Sequence, residues 1–530
     1  MNQPPRQRSV IELINEALRL QHAGAYAQSE PLLRAALQVN PRHPDALYAL
    51  GWVLGQMCRE AEGLEALRKA AAADPRRAQT WHEIGILHQN AGEPTPAVEA
   101  FERAMFLNPR HVESFCACAL MLERDRKPDK ARAVLQRALK HNPADPQVRM
   151  MLAAMDARDK ATAPEAERVL REVIASAPND DVRFRALSAL NVALESQARH
   201  IEAFDAAAEC NRIRRTRPSV KNMLAASDWV VFETARSYTA VTAEMTARWA
   251  AQSFDDNLPT PAFVVGFPRS GTTMTENALG AHPAIVALDE PPTVNDTETE
   301  ARRLLDPQRN PSHPHDPETT VRLLDQATPQ QVAHLRAYYW QRVAEVTKGA
   351  LTAATAAANR TLLVDKNPFT IYRLALMNRL FPKARVVCVI RDPRDCCISA
   401  FTQLFRANPA MVLFTDLDDT ARTYAAVMDQ WLTLRPRLST PILQVRYEDT
   451  VADFPTYARR LIDFLGLEWN DAVLAFEERA AKKFVSTPSA HAVTKKVNTA
   501  AVARYKRYAD RLDPILPQLT RFIAEFGYEA

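Results

Sequence analysis

The second half of the chain alternates short apolar runs with longer segments of helical pattern. The runs are rich in β-branched residues, which indicates strands buried on both faces. We predict strands at 262–266, 285–288, 361–364, 385–390 and 443–446. Helical patterns at 272–280 and 451–465 lie between and after them. This alternation predicts an α/β domain with a central parallel sheet.

The first 215 residues follow a different, repeating pattern. Prolines recur 34 residues apart, each after Asn or Asp, and small residues recur at the same period. The repeated positions are Pro41, Pro75, Pro109 and Pro143, with Gly51, Gly85 and Ala119. Small residues let two helices approach closely, and proline ends the second helix. The period and these columns resemble tetratricopeptide (TPR) repeats.

The two patterns predict an α + α/β fold class. We expect a TPR solenoid at residues 1–215, a helical linker at 216–260 and an α/β domain with a P-loop-like turn at 261–530. Solenoids of this kind present concave surfaces that usually bind peptides or proteins. The repeats therefore predict a protein or peptide partner.

Composition limits the possible function classes and the cellular location of the protein. A net charge of +4 over 530 residues argues against a dedicated nucleic-acid binder. No apolar run approaches the roughly 20 residues that span a bilayer, and the N-terminus has no apolar signal region. The cysteine count of 7 is odd, and no CxxC pair occurs, so neither disulfides nor a zinc site is indicated. We expect a cytoplasmic protein without a transmembrane segment, and a homodimer is compatible with these features.

A phosphate-binding turn is predicted after the first strand. The string P-R-S-G-T-T (268–273) joins that strand to a helix, whose first N–H groups and positive dipole end favour an anion. Ser270, Thr272 and Thr273 add hydroxyl donors, and Arg269 adds a forked cation. No Walker A string is present, so a different anion arrangement is expected. The alternative is an ordinary polar turn before a helix.

Polar side chains also follow the other predicted strands. Ligands of doubly wound sheets collect at the carboxyl ends of the strands. Asp289-Glu290 could accept a proton there, Lys366 could neutralise developing charge, and Arg391 with Ser399 eight residues on could hold one phosphate. A solvated acidic turn and a surface lysine are the structural alternatives.

Taken together, the motifs resemble the sulfotransferase superfamily. P-R-S-G-T-T is similar to the 5′-phosphosulfate loop of those enzymes, and A-H-P, the acid pair, K-N-P-F, R-D-P-R and Y-E-D with D-F-L-G-L follow in order. In these motifs the chain is most similar to tyrosylprotein sulfotransferases and to bacterial proteins that fuse TPR repeats to such a domain. The resemblance covers about 261–530.

The resemblance implies a donor, 3′-phosphoadenosine 5′-phosphosulfate (PAPS), with adenosine 3′,5′-bisphosphate as product. It implies no metal. Glu290 falls on the family's catalytic base and Lys366 on its catalytic lysine. The implied donor-binding residues are Arg269, Ser270, Gly271, Thr272 and Thr273 for the 5′-phosphosulfate, Arg391 and Ser399 for the 3′-phosphate, and Tyr447, Ser489 and Lys495 for the nucleotide.

Two departures leave the acceptor open. The first acid is Asp289, and Pro291-Pro292 follows where the animal enzymes carry an arginine. Neighbouring strand residues point to opposite faces, so we expect only one acid of the pair to reach a substrate. The acceptor is a tyrosine or another protein or small-molecule hydroxyl. The rival functions are a nucleotide-dependent phosphotransferase and a TPR scaffold with a degenerate nucleotide-binding domain.

Overall fold

The chain divides into two compact units, Met1–Ala193 and Leu194–Ala530. A computed structural model describes residues 8–254, 256–310, 315–405, 407–482 and 497–529. The predicted solenoid end at 215 lies inside the second unit. Phe204 explains the difference, because its ring stacks on Phe401 at 5.0 Å within the core of that unit.

The first unit consists of helices joined by short turns, and successive helices among the first ten pack on one another. Their bounds are α1 (Val10–His22), α2 (Tyr26–Val39), α3 (Pro44–Gln56), α4 (Glu60–Ala73), α5 (Ala78–Asn90), α6 (Pro94–Leu107), α7 (Val112–Arg124), α8 (Pro128–His141), α9 (Pro146–Asp156), α10 (Ala163–Ala175) and α11 (Asp180–Ser196), the last crossing the division.

The residues that recur every 34 positions have the predicted packing roles. A Cβ at Gly85 would lie 2.4 Å from the Phe101 ring, so only glycine lets α5 and α6 approach this closely. The polar residue before each proline caps a helix, and Asn40 also accepts a hydrogen bond from the Arg42 N–H at 3.2 Å. This unit is the predicted helical solenoid.

The second unit surrounds its sheet with helices. Their bounds are α12 (His200–Thr216), α13 (Pro218–Ser227), α14 (Thr234–Arg236), α15 (Ala243–Ala250), α16 (Thr272–Gly280), α17 (Thr293–Leu305), α18 (Pro317–Asp325), α19 (Pro329–Val346), α20 (Ala353–Ala358), α21 (Leu374–Leu380), α22 (Pro393–Phe401), α23 (Leu417–Leu434), α24 (Tyr447–Ala452), α25 (Phe454–Leu465), α26 (Phe476–Lys482), α27 (Ala509–Leu512) and α28 (Leu516–Glu525).

Shorter 3₁₀ and π turns connect these helices. The 3₁₀ turns are Pro368–Arg373, Met411–Thr415, Arg435–Arg437, Asp471–Ala475, Arg504–Tyr508 and Asp513–Ile515, and the π turn is Asp228–Glu233. Helices α13, α14 and α15 lie within the predicted linker range 216–260, in the second unit. Trp249 of α15 is 1% exposed, and the indole N–H donates to Asp325 at 2.8 Å.

The strands form a five-stranded parallel sheet in the order β2-β3-β1-β4-β5, as the alternating pattern predicted. Their bounds are β1 (Ala262–Gly266), β2 (Ile285–Asp289), β3 (Leu362–Lys366), β4 (Arg385–Ile390) and β5 (Ile442–Arg446). Alternate residues of β1 enter two different cores. Phe263 lies in one and Val264 in the other, so the sheet is covered on both faces.

The strand register sets where the polar side chains lie. Lys366 pairs with Val264 on one side and with Asp289 on the other. Lys366 is thus the last residue of β3, two residues beyond the predicted strand end. The carboxyl ends of β1, β2 and β3 therefore bring the phosphate-loop residues, the acid pair and the lysine to one edge.

Candidate active site

The loop after β1 depends on left-handed backbone at three residues. Gly266, Arg269 and Gly271 have φ values of 155°, 72° and 109°. A Cβ at Gly266 would lie 2.3 Å from the Val389 carbonyl oxygen, and one at Gly271 would lie 2.7 Å from Cδ2 of Tyr447. Both glycines are required for space as well as for conformation. The loop therefore lies tightly between β4 and Tyr447.

The helix after the loop begins without a side-chain cap. Gly271 is the N-cap of α16 and has no side chain to accept from the first N–H groups. Ser270 is 1% exposed, and its Oγ has no hydrogen-bond partner among the described residues. Thr272 and Thr273 are also buried in the first helical turn. A buried unpartnered hydroxyl beside a helix N-terminus fits a bound oxyanion.

Two arginines and a serine meet behind the loop. Arg269 Nε donates to Ser399 Oγ at 3.0 Å, and Arg391 Nη1 donates to the Arg269 carbonyl oxygen at 3.1 Å. Burial, followed by the charges of Arg391 and Arg504, lowers the pKa of Arg269 to about 10. Buried like charges are unfavourable without counter-charge. This cluster is suited to an anion with several negative oxygens.

Arg391 lies in a buried polar environment at the end of β4. Its guanidinium lies 4.7 Å from the centroid of the Tyr447 ring, and Nη2 is 3.3 Å from Asp395 Oδ2. Nη2 also donates to the Ala501 carbonyl oxygen. Nε is buried and has no partner among the described residues. Arg391, just before α22, and Ser399, within α22, thus both contact Arg269. That they hold one phosphate stays a prediction.

The lysine and both acids form one ion cluster. Lys366 Nζ contacts Asp289 Oδ1 and lies 3.0 Å from Glu290 Oε1. Both acids therefore contact the same ammonium, although neighbouring strand residues point to opposite faces. Which acid reaches a substrate stays a prediction. Strand β2 ends at Asp289, and Glu290 adopts φ 53°, which turns its carboxylate back toward the ammonium. The alternation rule does not extend past the strand end.

Burial and charge act in opposite directions on this lysine. The Lys366 side chain has 0% exposure, which disfavours the ammonium. The carboxylates of Glu290 and Asp289 outweigh that burial, so the pKa of Lys366 lies above its ordinary value. Lys366 is therefore a buried cation, and the surface-lysine alternative does not apply.

A third acid lies on the same strand and was not predicted. Asp365 is 0% exposed and accepts hydrogen bonds from the Thr293 hydroxyl and, at 3.1 Å, from the Tyr339 hydroxyl. Burial raises the pKa of Asp365 to about 6. Thr293 begins α17, directly after the turn that carries Glu290. The D-K dipeptide alone carried no signal for this, because the partners come from two distant helices.

Arg504 is a second residue that the sequence analysis missed. Its Nη2 lies 3.0 Å from Glu195 Oε2 and 2.9 Å from the Tyr508 hydroxyl. The neighbouring Tyr505 N–H donates to Asp395 Oδ1 at 2.7 Å, so this turn packs on α22. No motif marked Arg504. Ser489 and Lys495, predicted to contact the nucleotide, lie outside the described residues, and their roles remain predictions.

Two further properties bear on chemistry. No group of three or more His, Cys, Asp or Glu side chains in the described ranges is arranged to hold a metal ion. Every helix in the described part of the chain is too short or too polar to span a lipid bilayer. The seven cysteines are free, and all except Cys58 are buried.

Comparison with protein families matches each part of the chain separately. The model described as "Sulfotransferase family" matches residues 261–471. The model described as "Cytochrome c-type biogenesis protein H TPR domain" matches residues 59–184. The C-terminal part of the chain therefore carries a sulfotransferase family domain, and the N-terminal part carries a TPR domain.

Two of the relatives illustrate how much of the chain is matched. An uncharacterized protein of Aquifex aeolicus is 28% identical over 260 residues, covering 48% of this chain and 32% of that protein. Protein-tyrosine sulfotransferase 1 of Danio rerio is 25% identical over 220 residues, covering 42% of this chain and 57% of the enzyme. The chain thus spans between one third and about three fifths of these relatives.

Solved structures of repeat proteins are also similar to this chain. A thermophilic TPR protein of Thermus thermophilus covers 34% of this chain and 99% of its own, at 24% identity and a TM-score of 0.29. A tetratricopeptide repeat protein of Parabacteroides merdae covers 40% of this chain and 86% of its own, at 19% identity and a TM-score of 0.33.

Proposed function

We propose, from the premise that the C-terminal part of the chain carries a sulfotransferase family domain, that the protein transfers a sulfuryl group from PAPS to an acceptor hydroxyl. One observation carries the proposal. At one edge of a parallel sheet, a glycine-shaped loop has a buried hydroxyl without a partner among the described residues. It lies beside Arg269, the buried Arg391 and a lysine–carboxylate cluster. Those features supply anion binding and a proton acceptor together.

The loop and the arginines are assigned to the donor. Ser270 Oγ and the N–H groups at the start of α16 suit the 5′-phosphosulfate, with Gly271, Thr272 and Thr273 shaping that end. Arg391, through its unpartnered buried Nε, and Ser399 suit the 3′-phosphate. We assign Tyr447, which packs on Gly271, to the nucleotide, and Arg504 to the same positive cluster.

The chemical step uses the remaining side chains. PAPS supplies an activated sulfuryl group. The acceptor oxygen forms a bond to sulfur while the bond from sulfur to the bridging phosphate oxygen breaks, and that oxygen leaves with the electron pair. Glu290 takes the acceptor's proton. Lys366 and Arg269 stabilise the negative charge that builds on the departing oxygen. The products are the sulfated acceptor and adenosine 3′,5′-bisphosphate.

The acceptor is proposed from the named relatives and from the repeats. Relatives named protein-tyrosine sulfotransferase make a tyrosine hydroxyl of a protein the first acceptor to test. TPR domains generally bind proteins, so we assign recognition of a protein acceptor or partner to the repeats. A small-molecule hydroxyl is the second acceptor class. Free, mostly buried cysteines support a reducing location, the cytoplasm.

Thermal shift separates this function from its rivals. Adenosine 3′,5′-bisphosphate at 100 times its Kd should stabilise the protein by about 2.7 kcal/mol, whereas ATP should stabilise it much less. A nucleotide-dependent phosphotransferase would show the reverse order. A degenerate domain would respond to neither ligand.

Transfer itself is tested with PAPS labelled in the sulfuryl group. The full-length protein is incubated with tyrosine-containing peptides, small phenols and a cell extract, and the label is followed. Glu290→Gln is the inactive control, expected to lower single-turnover transfer by about 10²–10⁴. Bisphosphate binding without label transfer to any acceptor would contradict the proposed activity.

A further inference from the structure

The two acids beside Lys366 occupy different environments. The Asp289 side chain is 10% exposed, whereas that of Glu290 is 40% exposed, and Lys366 between them has no exposed surface. Asp289 is fixed by sheet pairing, because it lies opposite Lys366 in the register of β2 and β3. Glu290 lies beyond the strand in a left-handed conformation that a glutamate seldom adopts.

The backbone contacts of the two acids differ as well. The Glu290 N–H donates to the Lys366 carbonyl oxygen at 2.7 Å, which fixes the start of the turn but leaves the carboxylate at the surface. The side chains of Asp289 and Lys366 lie on the same face of neighbouring strands, as register partners do. The sheet register therefore places Asp289 beside Lys366, whereas Glu290 reaches Lys366 from a left-handed residue beyond the strand.

We propose that Asp289 is a positioning residue for the proposed sulfuryl transfer, the fixed counter-ion that holds the Lys366 ammonium at the reaction centre. Glu290 is the exchangeable partner. When negative charge of the donor engages the ammonium, the exposed Glu290 carboxylate is released to take the acceptor's proton, while Asp289 keeps Lys366 in place. This inference rests on the proposed function and assigns a separate task to each acid.

Other charged groups near Lys366 could also influence its titration. Asp365 is its neighbour on β3 but projects to the opposite face, toward Thr293 and Tyr339. Glu276 lies on α16, which packs against β3, and it accepts from Asn277 Nδ2 at 3.0 Å. Arg269 lies on the loop after β1. Asp289 and Glu290 are the carboxylates in contact with the Lys366 ammonium within the described residues.

The first test titrates Lys366 directly in the full-length protein. Lysine labelled with ¹³C at Cε is followed by NMR against pH, with Lys366→Arg to assign the signal. Asp289→Asn should move the Lys366 titration to lower pH by about 1–3 units, since an adjacent opposite charge is lost. Asp289→Glu should restore it. The matched control is Asp296→Asn, which removes an acid that pairs with Arg342 instead.

The second test is the pH profile of single-turnover transfer. Asp289→Asn should move the basic limb to lower pH by the same amount and leave the Kd of adenosine 3′,5′-bisphosphate within about twofold, a change of only about 0.4 kcal/mol. Glu290→Gln should lower the rate at every pH. Asp289→Glu should recover the wild-type limb, and tight bisphosphate binding by each variant verifies its fold.

Three outcomes are decisive. An unshifted Lys366 titration in Asp289→Asn overturns the proposal. Asp289→Asn could instead lose as much transfer as is expected for Glu290→Gln, with the basic limb of the pH profile unmoved. That result would make Asp289 the base. If the wild-type protein transfers no sulfuryl group, the proposed function fails, and the NMR titration still decides whether Asp289 holds Lys366.

Discussion

Arg391 offers the most direct test of how the donor is bound. Its Nε is buried without a partner in the described part of the chain, and a 3′-phosphate oxygen would satisfy it. Arg391→Ala should therefore weaken binding of adenosine 3′,5′-bisphosphate by about 1.5–3 kcal/mol. Binding of adenosine 5′-monophosphate should weaken much less. Isothermal titration calorimetry with both nucleotides measures the difference.

The control for this variant is Arg394→Ala. Arg394 is also a buried arginine and lies on α22, but it pairs with Asp392 at 2.9 Å and packs on Tyr505. Its loss should affect both nucleotides equally. If Arg391→Ala lowered the affinity for both nucleotides equally, Arg391 would not bind the 3′-phosphate.

Asp365 should make stability depend on pH in a specific window. Its pKa is raised to about 6 from an ordinary 3.8, so the neutral acid is favoured in the folded protein. Its stabilising contribution is complete below the unfolded pKa and is lost as pH rises through about 6. A shift of this size corresponds to about 3 kcal/mol.

The measurement compares Tm for wild type and Asp365→Asn at several pH values. The advantage of Asp365→Asn should grow between pH ~4 and ~6 and then level off. Thr293→Val removes a hydrogen bond that lowers the pKa of Asp365. In that variant the pH range over which Asp365 destabilises the fold should extend to higher pH. A gap in Tm that stays constant with pH would mean that Asp365 does not titrate in this range.

The loop between β1 and α16 requires a left-handed backbone at Gly271 and also the space left by its missing side chain. Mutations can test these two requirements separately. Gly271 and Gly92 both have left-handed φ, but a Cβ at Gly92 meets nothing within 4 Å. Alanine at either position should cost about 1–2 kcal/mol in backbone strain. At Gly271 the added Cβ also collides with the Tyr447 ring and displaces the loop.

Gly271→Ala should therefore lower bisphosphate affinity at least about tenfold, or 1.4 kcal/mol, whereas Gly92→Ala should leave it unchanged. Thermal melts and calorimetry on the two variants provide the comparison. Comparable affinity for the two variants would show that the Gly271–Tyr447 contact does not shape the donor site.

The division of the whole chain into two units predicts separable effects of mutation. Gly85→Ala would bring a Cβ against Phe101 in the first unit and should destabilise it by about 1–3 kcal/mol. Differential scanning calorimetry should show this as a lowered repeat transition. The bisphosphate should still stabilise the other transition as it does in wild type.

Gly24→Ala is the control, because its Cβ would meet nothing within 4 Å and only its left-handed φ of 73° would destabilise the first unit. That strain should cost about 1–2 kcal/mol. Loss of bisphosphate binding in Gly85→Ala, with Gly24→Ala unaffected, would contradict the assignment of donor binding to the second unit alone.

Local pattern was enough for the elements of the fold and for the main site motifs. Strand runs of β-branched residues and the 34-residue proline period depend on neighbours along the chain, so strands, helices and repeats followed from the sequence. The parallel sheet brings the ends of β1, β2, β3 and β4 to one edge, which is why polar residues after those strands were candidates. The choice of Glu290 over Asp289 came from the resemblance to sulfotransferases, and the roles of these residues stay predictions.

Contacts between distant segments required the tertiary structure. Asp365 and Arg504 acquire their partners from elements far away in sequence, and no local signal marks either one. Glu290 joins Asp289 in contact with Lys366 because one residue just past the strand end, Glu290 itself, is left-handed. A strand pattern predicts facing only while the strand continues. Sequence thus determined which residues reach the sheet edge, and the tertiary structure decided which of their charges meet.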